Sequence, residues 1–255
     1  MIKHHVKNDS VWVGLSRCSS ITHEQSQSYG RLLSSAELAR NQRYRFARDR
    51  HRDLVARALL RSALGGLLDT RPEDVEFEIG AKGKPHLKAK SGPQRAIDQP
   101  ALPFFNLSHS ADWVVLAVAN FPVGIDVEFT QRKNNVLAIA RNYFFGAEVE
   151  QLFSLPFDQQ RERFFDYWTL KEAYMKARGE GIALGLSNFG FQLGDSGKIS
   201  LYLSSSIDDT PANWKFSCLT PELDYRLSIA AKTPADLRPI FQEVIPLVSL
   251  TDLAW

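Results

Sequence analysis

An internal repeat is the sequence feature that most constrains how this chain can fold. When the 255-residue chain is aligned with itself at a shift of 114 residues, seven identities fall within positions 54–87 without a gap. Chance alone would give about one identity in sixteen positions. The shift predicts two similar lobes, with segment 54–65 as the counterpart of segment 168–179. The matched residues are Ala63 with Ala177, Gly65 with Gly179, Phe77 with Phe191, Gly80 with Gly194, Gly83 with Gly197, Lys84 with Lys198 and Leu87 with Leu201.

Composition is that of an ordinary globular protein. The chain is 44% hydrophobic and 24% charged, which excludes a disordered or fibrous protein. Its apolar stretches, such as 113–119, are far shorter than the roughly 18 residues of a membrane helix, and its first residues are polar. We therefore expect neither a membrane anchor nor a signal peptide. Cys18 and Cys218 form no CxxC pair, which disfavours a disulfide framework or thiolate zinc site and favours a cytoplasmic location.

One stretch of the chain is strongly basic, although the formal net charge is only +2. Between positions 40 and 61, many arginines face only Asp49 and Asp53. They form either a solvated helix face or a binding site for an anion. Nucleic acid is not favoured, because aromatic residues are not interleaved at the spacing of a stacking surface. The arginines are Arg40, Arg43, Arg45, Arg48, Arg50, Arg52, Arg57 and Arg61.

Helical and strand patterns alternate along the chain, which predicts an α/β or α+β fold. The Pro- and Gly-bearing segment 91–103 predicts a linker. We therefore expect an N-terminal lobe at 1–104, a C-terminal lobe at 105–232 and a tail at 233–255 that packs back on the body. Strands are predicted at 11–15, 75–79, 113–119, 123–129, 189–193, 199–203, 214–219 and 225–230, and helices at 36–46, 50–68, 136–145 and 157–178.

Segment 123–129 brings two carboxylates to one face of a predicted strand. The strand period of two places Asp126 and Glu128 together, opposite Ile125 and Val127. Two carboxylates so close repel each other unless a cation lies between them, and oxygen ligands favour magnesium or manganese. Without a cation, the same pattern is typical of an edge strand with a solvated acidic face. This segment alone does not decide between the two.

The predicted helix 157–178 supplies a third carboxylate. Helical spacing stacks Phe165, Trp168, Glu172 and Lys176 on one stripe, so Glu172 continues a largely aromatic face. An ordinary helix ion pair between Glu172 and Lys176 would contribute roughly 0.5 kcal/mol. Alternatively, Glu172 is the third carboxylate of a metal site and Lys176 meets a phosphate or leaving group.

Two further segments indicate phosphate binding. One sets two cations around a glycine that lets the backbone approach a ligand: Lys82, Gly83, Lys84 and Pro85. The other places hydroxyls and an imidazole just before a strand: Asn106, Leu107, Ser108, His109 and Ser110. A Gly-Lys-Pro turn is common and a lone histidine is often structural, so neither segment is decisive alone.

Taken in order, four motifs resemble the motif series of the Sfp-type 4'-phosphopantetheinyl transferases. They are the segments 82–85, 106–110 and 124–128, and Trp-Thr-Leu-Lys-Glu-Ala at 168–173 followed by Lys176. Their order and spacing make the resemblance specific, and its core runs from about position 40 to 181. The segment Phe-Ala-Arg-Asp at 46–49 also resembles some members, and the Trp with Lys-Glu-Ala resembles a subgroup linked to broad or fatty-acid-type carriers.

The resemblance implies a two-lobed pseudo-dimer of α/β lobes with coenzyme A in the cleft between them. It implies a magnesium-dependent enzyme that transfers 4'-phosphopantetheine from coenzyme A to a serine of an apo acyl or peptidyl carrier protein, releasing adenosine 3',5'-bisphosphate. Fatty acid, polyketide and nonribosomal peptide systems present such carriers. We expect a monomer, because a two-lobed chain needs no second subunit to build its cleft.

The resemblance also assigns roles to individual residues. Asp126, Glu128 and Glu172 would hold magnesium, with manganese as an alternative. Glu172 and Lys176 would be catalytic, Glu172 accepting the proton of the carrier serine directly or through water. Glu37 stands where some members place another cation, which makes the N-terminal contacts less certain than the metal site. Coenzyme A would be bound by Arg40, Lys82, Gly83, Lys84, Pro85, Asn106, Ser108, His109, Asp126, Glu172 and Lys176.

Two other functions share some of these features. A magnesium-dependent nuclease or phosphodiesterase also combines carboxylates with a lysine, but usually places the Glu and Lys two apart on a strand. Here Glu172 and Lys176 are four apart in a helical pattern. A non-catalytic anion- or RNA-binding module would use the arginine stretch and would not need magnesium.

Overall fold

The computed structural model describes residues 6, 9–89, 102–194 and 197–253. Helices and strands alternate along the chain, as predicted, with short 3-10 turns between some of them. The order is β1 (Ser10–Arg17), α1 (His23–Tyr29), α2 (Ser35–Gln42), α3 (Ala47–Leu68), β2 (Phe77–Ile79), β3 (Pro85–Leu87), β4 (Phe104–Ser110), β5 (Trp113–Ala119), β6 (Val123–Phe129), α4 (Val136–Tyr143), α5 (Gly146–Ser154), α6 (Phe157–Arg178), β7 (Phe189–Leu193), β8 (Ile199–Leu203), β9 (Trp214–Leu219), β10 (Tyr225–Lys232), β11 (Arg238–Ile245) and β12 (Ser249–Leu253).

The chain divides into two compact units. Unit 1 contains the residues up to Phe121 together with those from Arg238 onward, and unit 2 contains Pro122–Leu237. This boundary differs from the one predicted near 104. The reason is strand pairing. Strands β4 and β5 form an antiparallel pair, and β5 also pairs with β1 of the same sheet, with Trp12 opposite Val118. The predicted linker at 91–103 lies outside the described residues up to position 101.

Unit 1 is built on a five-stranded sheet in the order β12-β11-β1-β5-β4. Helices α1 and α3 pack against one another, and α3 also contacts β4 and β5. The predicted tail supplies two of these strands, since β11 lies parallel to β1 and pairs with β12. The Trp12 indole donates a hydrogen bond to Gln242 at 2.5 Å, and the Tyr29 hydroxyl donates to the carbonyl of Pro246 at 3.0 Å. The tail is therefore an integral part of unit 1.

Unit 2 is built on a three-stranded antiparallel sheet in the order β6-β10-β9, with the hairpin β7-β8 beside it. The long helix α6 packs across β6 and β10. It begins directly after Pro156 and ends at Gly179, whose φ of 72° lies in the left-handed region that favours glycine. Aromatic side chains of α6 and the hairpin, among them Phe164, Tyr174 and Phe189, belong to the core of this unit.

The two units repeat one topology, which confirms the prediction of two similar lobes. The sheet order β1-β5-β4 of unit 1 matches β6-β10-β9 of unit 2, and every neighbouring pair is antiparallel. Phe77 pairs with Leu87 in the first hairpin, and Phe191 pairs with Leu201 in the second. Each residue of the second pair lies 114 positions after its counterpart in the first pair. The hairpin turns also match, since φ is +83° at Gly83 and +75° at Gly197.

No helix in the described part of the chain is both long and apolar enough to cross a membrane.

Candidate active site

The edge strand β6 of unit 2 carries the first two candidate carboxylates. Asp126 is only 3% exposed and Glu128 is half-buried, so the acidic face is not the solvated one that the sequence left open. Both residues lie on the strand face that α6 covers, because Gly124, two residues earlier, contacts that helix directly. A buried carboxylate requires a compensating positive charge or hydrogen-bond donors.

Helix α6 brings that positive charge. The Lys176 ammonium lies 2.7 Å from Oδ1 of Asp126 and also donates to the carbonyl of Ile125 at 3.3 Å. Glu128 is paired with Arg132 at 3.0 Å, a residue outside all four sequence motifs. The structure thus brings Asp126, Glu128 and Lys176 together at one edge of unit 2.

A glycine explains how helix and strand approach so closely. A Cβ atom at Gly124 would lie 2.0 Å from the carbonyl oxygen of Ala173 and 2.5 Å from the nitrogen of Ala177. The backbone of α6 therefore contacts the backbone of β6 directly. This contact fixes how far Glu172 and Lys176 lie from Asp126. The motif contained this glycine, but a sequence does not show which backbone it approaches.

We expect Gly124→Ala to destabilise unit 2 by about 1–3 kcal/mol, because the new methyl group must displace the α6 backbone. Urea-induced unfolding measures this loss. Gly146→Ala is the matched control, since a Cβ at Gly146, in the first turn of α5, meets nothing within 4 Å. Equal stability of the two variants would contradict the close approach.

Glu172 has an unusual acidity. Burial raises its pKa to about 6, and the neighbouring Asp126 and Glu128 carboxylates contribute to the rise, while Lys176 opposes them. A carboxylate with such a pKa is a stronger base than an ordinary glutamate yet is still mostly ionised near neutral pH. The three carboxylates therefore interact electrostatically, as the predicted metal site requires.

This acidity predicts how stability depends on pH in the absence of metal. Because folding raises the pKa of Glu172 from about 4.5 to about 6, the folded state binds the proton more tightly, and stability falls as pH rises through this range. Above pH 7 we expect Glu172→Gln to be more stable than the unmodified protein by up to about 2 kcal/mol. Below pH 4 the difference should vanish. Urea unfolding in EDTA at both pH values measures it, and a constant difference would contradict the assignment.

The carboxylates match the chemistry of magnesium. Within the described residues, no three His, Cys, Asp or Glu side chains lie close enough together to hold a metal ion as they stand. The donors are nevertheless oxygen atoms of hard ligands, which magnesium prefers. A cation would also relieve the repulsion from Asp126 and Glu128 that adds to burial in raising the pKa of Glu172. Asp126, Glu128 and Glu172 therefore fit such an ion chemically.

A second charged pair in unit 2 lies in the core. Lys171 precedes Glu172 but is fully buried, 2.8 Å from Glu148 of α5, and its ammonium also donates to the carbonyls of Leu186 and Phe189. Glu148 accepts further hydrogen bonds from backbone N–H groups. Lys171 therefore fastens α6 to neighbouring segments and does not face a ligand. Sequence reasoning missed this pair, since Glu148 lies 23 positions earlier and no local spacing links the two.

Unit 1 contains the candidate phosphate-binding residues. Lys82, Gly83, Lys84 and Pro85 form the turn and the first residue of β3 in the hairpin β2-β3. Burial lowers the pKa of Lys84 to about 8, so part of its population is neutral at physiological pH. Lys84 and Pro85 line a small pocket with hydrophobic residues that include Leu102 and Phe104.

The remaining candidates of unit 1 lie on β4 and α2. Asn106 and Ser108 project from one face of β4 and His109 from the other, because successive side chains of a strand alternate. Ser108 is buried and His109 is exposed. Arg40, in the last turn of α2, donates to Asp53 of α3 at 3.3 Å. The strand thus directs Ser108 and His109 to opposite sides.

Family models match both units. A model described as 4'-phosphopantetheinyl transferase superfamily matches residues 122–230. A second, described as 4'-phosphopantetheinyl transferase, N-terminal, matches residues 20–121. The two matches divide the chain at 121–122, where the structure also divides it.

Relatives with curated names match over much of the chain. It is 40% identical to the 4'-phosphopantetheinyl transferase HetI of Nostoc sp. over 161 residues, 62% of this chain and 65% of HetI. It is 34% identical to 4'-phosphopantetheinyl transferase psf-1 of Bacillus pumilus over 203 residues, 80% of each chain. It is 30% identical to 4'-phosphopantetheinyl transferase Sfp of Bacillus subtilis over 237 residues, 91% of this chain and 95% of Sfp.

Among solved structures, a holo-(acyl-carrier-protein) synthase from Bacillus anthracis in complex with CoA matches 44% of this chain and 96% of its own, with a TM-score of 0.37 and 19% identity. The match to Sfp extends over 91% of this chain, and one family model matches within each of its two units. This chain therefore belongs to the 4'-phosphopantetheinyl transferase family, to its Sfp type.

Proposed function

We propose that this enzyme transfers the 4'-phosphopantetheine group of coenzyme A to a serine of an apo carrier protein. The products are the holo carrier and adenosine 3',5'-bisphosphate. Family membership supports the reaction, and the observation that carries it is the cluster at the edge of unit 2. There the buried Asp126 lies 2.7 Å from Lys176, and Glu172 has a raised pKa.

Asp126, Glu128 and Glu172 would hold a magnesium or manganese ion. When bound, the ion neutralises negative charge on the pyrophosphate of coenzyme A. The protein supplies the three carboxylates and fixes two of them on a rigid strand. Because burial and the neighbouring carboxylates already raise the pKa of Glu172, a cation that binds here displaces a proton from part of the population.

Glu172 and Lys176 would act on the reacting atoms. The serine oxygen forms a bond to the β-phosphorus of coenzyme A, and the bond from that phosphorus to the adenosine 3',5'-bisphosphate oxygen breaks. The serine proton passes to Glu172, directly or through water, for which its raised pKa is suited. Lys176 is partly buried beside Asp126, and its ammonium would stabilise the negative charge that develops on the leaving group.

In unit 1, we propose that the candidate phosphate-binding residues contact the nucleotide part of coenzyme A. The hairpin turn at Gly83 lets the backbone approach a ligand, and Lys82 and Lys84 flank it. The resemblance places Ser108 and His109 near the 3'-phosphate, and because β4 directs them to opposite sides, only one of the two side chains would face it. The position of coenzyme A between the two lobes stays a prediction.

The alternative functions are less well supported. Glu172 and Lys176 lie four residues apart on the 22-residue helix α6, whereas a nuclease of this kind usually carries the two residues on a strand. Several of the arginines that suggested an RNA-binding module form ion pairs, among them Arg40, Arg52 and Arg61. A monomeric state, a cytoplasmic location and independence of nucleic acid remain predictions, as does the class of carrier.

Intact-mass spectrometry tests the proposed function. Apo carrier proteins of the fatty acid, polyketide and peptide types are each incubated with the enzyme, coenzyme A and magnesium, with parallel samples in EDTA. We expect one phosphopantetheinyl group to be added only when metal is present. A carrier whose acceptor serine is replaced by alanine is the control. Modification of no carrier, although coenzyme A binds, would refute the proposal for these carrier classes.

A further inference from the structure

Arg132 follows strand β6 and lies against one of the proposed metal ligands. Its Nη2 atom is 3.0 Å from Oε2 of Glu128, and the two side chains are 48% and 17% exposed. A half-exposed arginine can leave such an ion pair for another anion, because ion pairs that reach solvent contribute little to stability. One oxygen of Glu128 is therefore held by a cationic side chain that can exchange its partner.

The backbone that carries Arg132 is held firmly by its neighbours. Arg161 of α6 donates hydrogen bonds to the carbonyl of Thr130, at 2.8 Å, and to the carbonyl of Arg132 itself. The N–H of Thr130 donates to the carbonyl of Asp224 at 2.8 Å. These bonds fix the position from which the Arg132 side chain extends, while its guanidinium stays half-exposed. The loop after β6 therefore brings an arginine to Glu128 without burying it.

A second arginine near Glu128 has a different environment. Arg226 of β10 lies opposite Glu128 in the pairing of β6 with β10. Its side chain is buried and donates to Asp166 at 2.9 Å and to Glu162 at 2.8 Å, both on α6. Arg226 therefore fastens β10 to the helix. Of these two arginines, Arg132 is the one that a ligand can reach from solvent.

Both carboxylates of β6 have a cation of the chain beside them. The Lys176 ammonium lies 2.7 Å from Asp126, and Arg132 lies 3.0 Å from Glu128. With Glu172, three negative side chains face two positive ones at this edge of unit 2. A divalent cation bound to the carboxylates would turn this negative excess into a positive one. The two side-chain cations would then be attracted to an incoming anion more than to the carboxylates.

We propose that Arg132 competes with the divalent cation for Glu128 and, once displaced, binds the pyrophosphate of coenzyme A. Arg132 thereby couples the binding of metal to the binding of coenzyme A. This inference rests on the proposed function and adds a residue outside the four sequence motifs. The proposed cation would bring the pyrophosphate beside Glu128, where Arg132 lies. A guanidinium donates parallel hydrogen bonds to phosphate oxygens, so it suits this anion.

Isothermal titration calorimetry with Mn²⁺ and with coenzyme A tests the proposal without a carrier protein. We expect Arg132→Gln to bind Mn²⁺ alone about fivefold more tightly than the unmodified enzyme, since the competing cation is gone. Its Kd for coenzyme A in EDTA should stay within about twofold, whereas in saturating Mn²⁺ this Kd should rise about fivefold. By reciprocity, the affinity for Mn²⁺ in saturating coenzyme A should then change less than about twofold.

Lys133→Gln is the matched control, because it removes the same charge from the next residue of the loop, which is exposed. It should leave all these affinities within about twofold. Arg132→Lys should stay close to the unmodified enzyme in its affinity for Mn²⁺, since it keeps the competing charge. Circular dichroism and melting temperatures verify that each variant is folded.

Unchanged or weaker binding of Mn²⁺ by Arg132→Gln would overturn the proposal, because Arg132 would then not compete for Glu128. An equal loss of coenzyme A affinity with and without Mn²⁺, or the same changes in Lys133→Gln, would overturn it as well. The proposed function fails separately. If no carrier is modified although coenzyme A binds, the titrations still decide the role of Arg132. If coenzyme A does not bind, the proposed function fails, and the Mn²⁺ titration still decides whether Arg132 competes for Glu128.

Discussion

Replacing Glu172 by glutamine is expected to lower the rate of phosphopantetheine transfer by about 10²–10⁴-fold, measured as kcat at saturating coenzyme A and carrier. Glutamine is nearly isosteric but cannot accept the serine proton and is a poorer ligand for a divalent cation. The variant should also stay folded, since removal of a charge that Asp126 and Glu128 repel does not destabilise the site.

Asp158→Asn provides the matched control for this experiment. Asp158 is exposed in the first turn of the same helix, so its replacement should leave turnover within about twofold. Addition of magnesium should stabilise the unmodified enzyme more than Glu172→Gln, because ligand binding to the folded state raises stability. Near-normal turnover of Glu172→Gln would show that Glu172 is not a catalytic residue.

Much of unit 2 could be predicted from the sequence because its signals are local. The helix predicted at 157–178 and the strand at 123–129 have the observed bounds, and both follow from the spacing of hydrophobic residues. The shared face of Asp126 and Glu128 follows from the strand period alone. The contact between Asp126 and Lys176 depends on the close approach at Gly124, which only the fold reveals.

The division of the chain was harder to predict because it depends on distant pairing. The segment at 91–103 has the composition of a linker, yet the strands that follow it return to the sheet of β1. The final strands also return to that sheet, where Ser10 lies opposite Arg238. The spacing of hydrophobic residues along one strand does not indicate which distant strand it pairs with. The repeat at a shift of 114 residues was more informative, since it compared whole segments.

Breaking the buried ion pair of Lys171 and Glu148 is expected to destabilise the enzyme by about 3–5 kcal/mol. Both side chains are fully buried. Burial raises the pKa of Glu148 and lowers the pKa of Lys171. The attraction between the two charges opposes both pKa shifts. Lys171→Met leaves the carboxylate without its counter-ion, and Glu148→Gln does the same to the ammonium. Urea-induced unfolding at pH 7 measures both losses.

Lys215→Met is the matched control for the single variants. Lys215 forms an exposed ion pair with Asp236, so its replacement should cost less than about 1 kcal/mol. Losses in Lys171→Met and Glu148→Gln no larger than that of the control would show that Lys171 does not fasten α6 to the core.

The double variant Lys171→Met with Glu148→Gln distinguishes the stability lost by leaving one buried charge unpaired from the stability lost through altered packing. The glutamine that replaces Glu148 would be neutral, but its amide oxygen would still accept a hydrogen bond from the N–H group of Phe145 or Phe191. We therefore expect the double variant to be more stable than the sum of the single losses predicts, by at least about 1 kcal/mol. Strict additivity would contradict this coupling. Because α6 also carries the proposed catalytic residues, the double variant should retain transfer activity in proportion to its folded fraction.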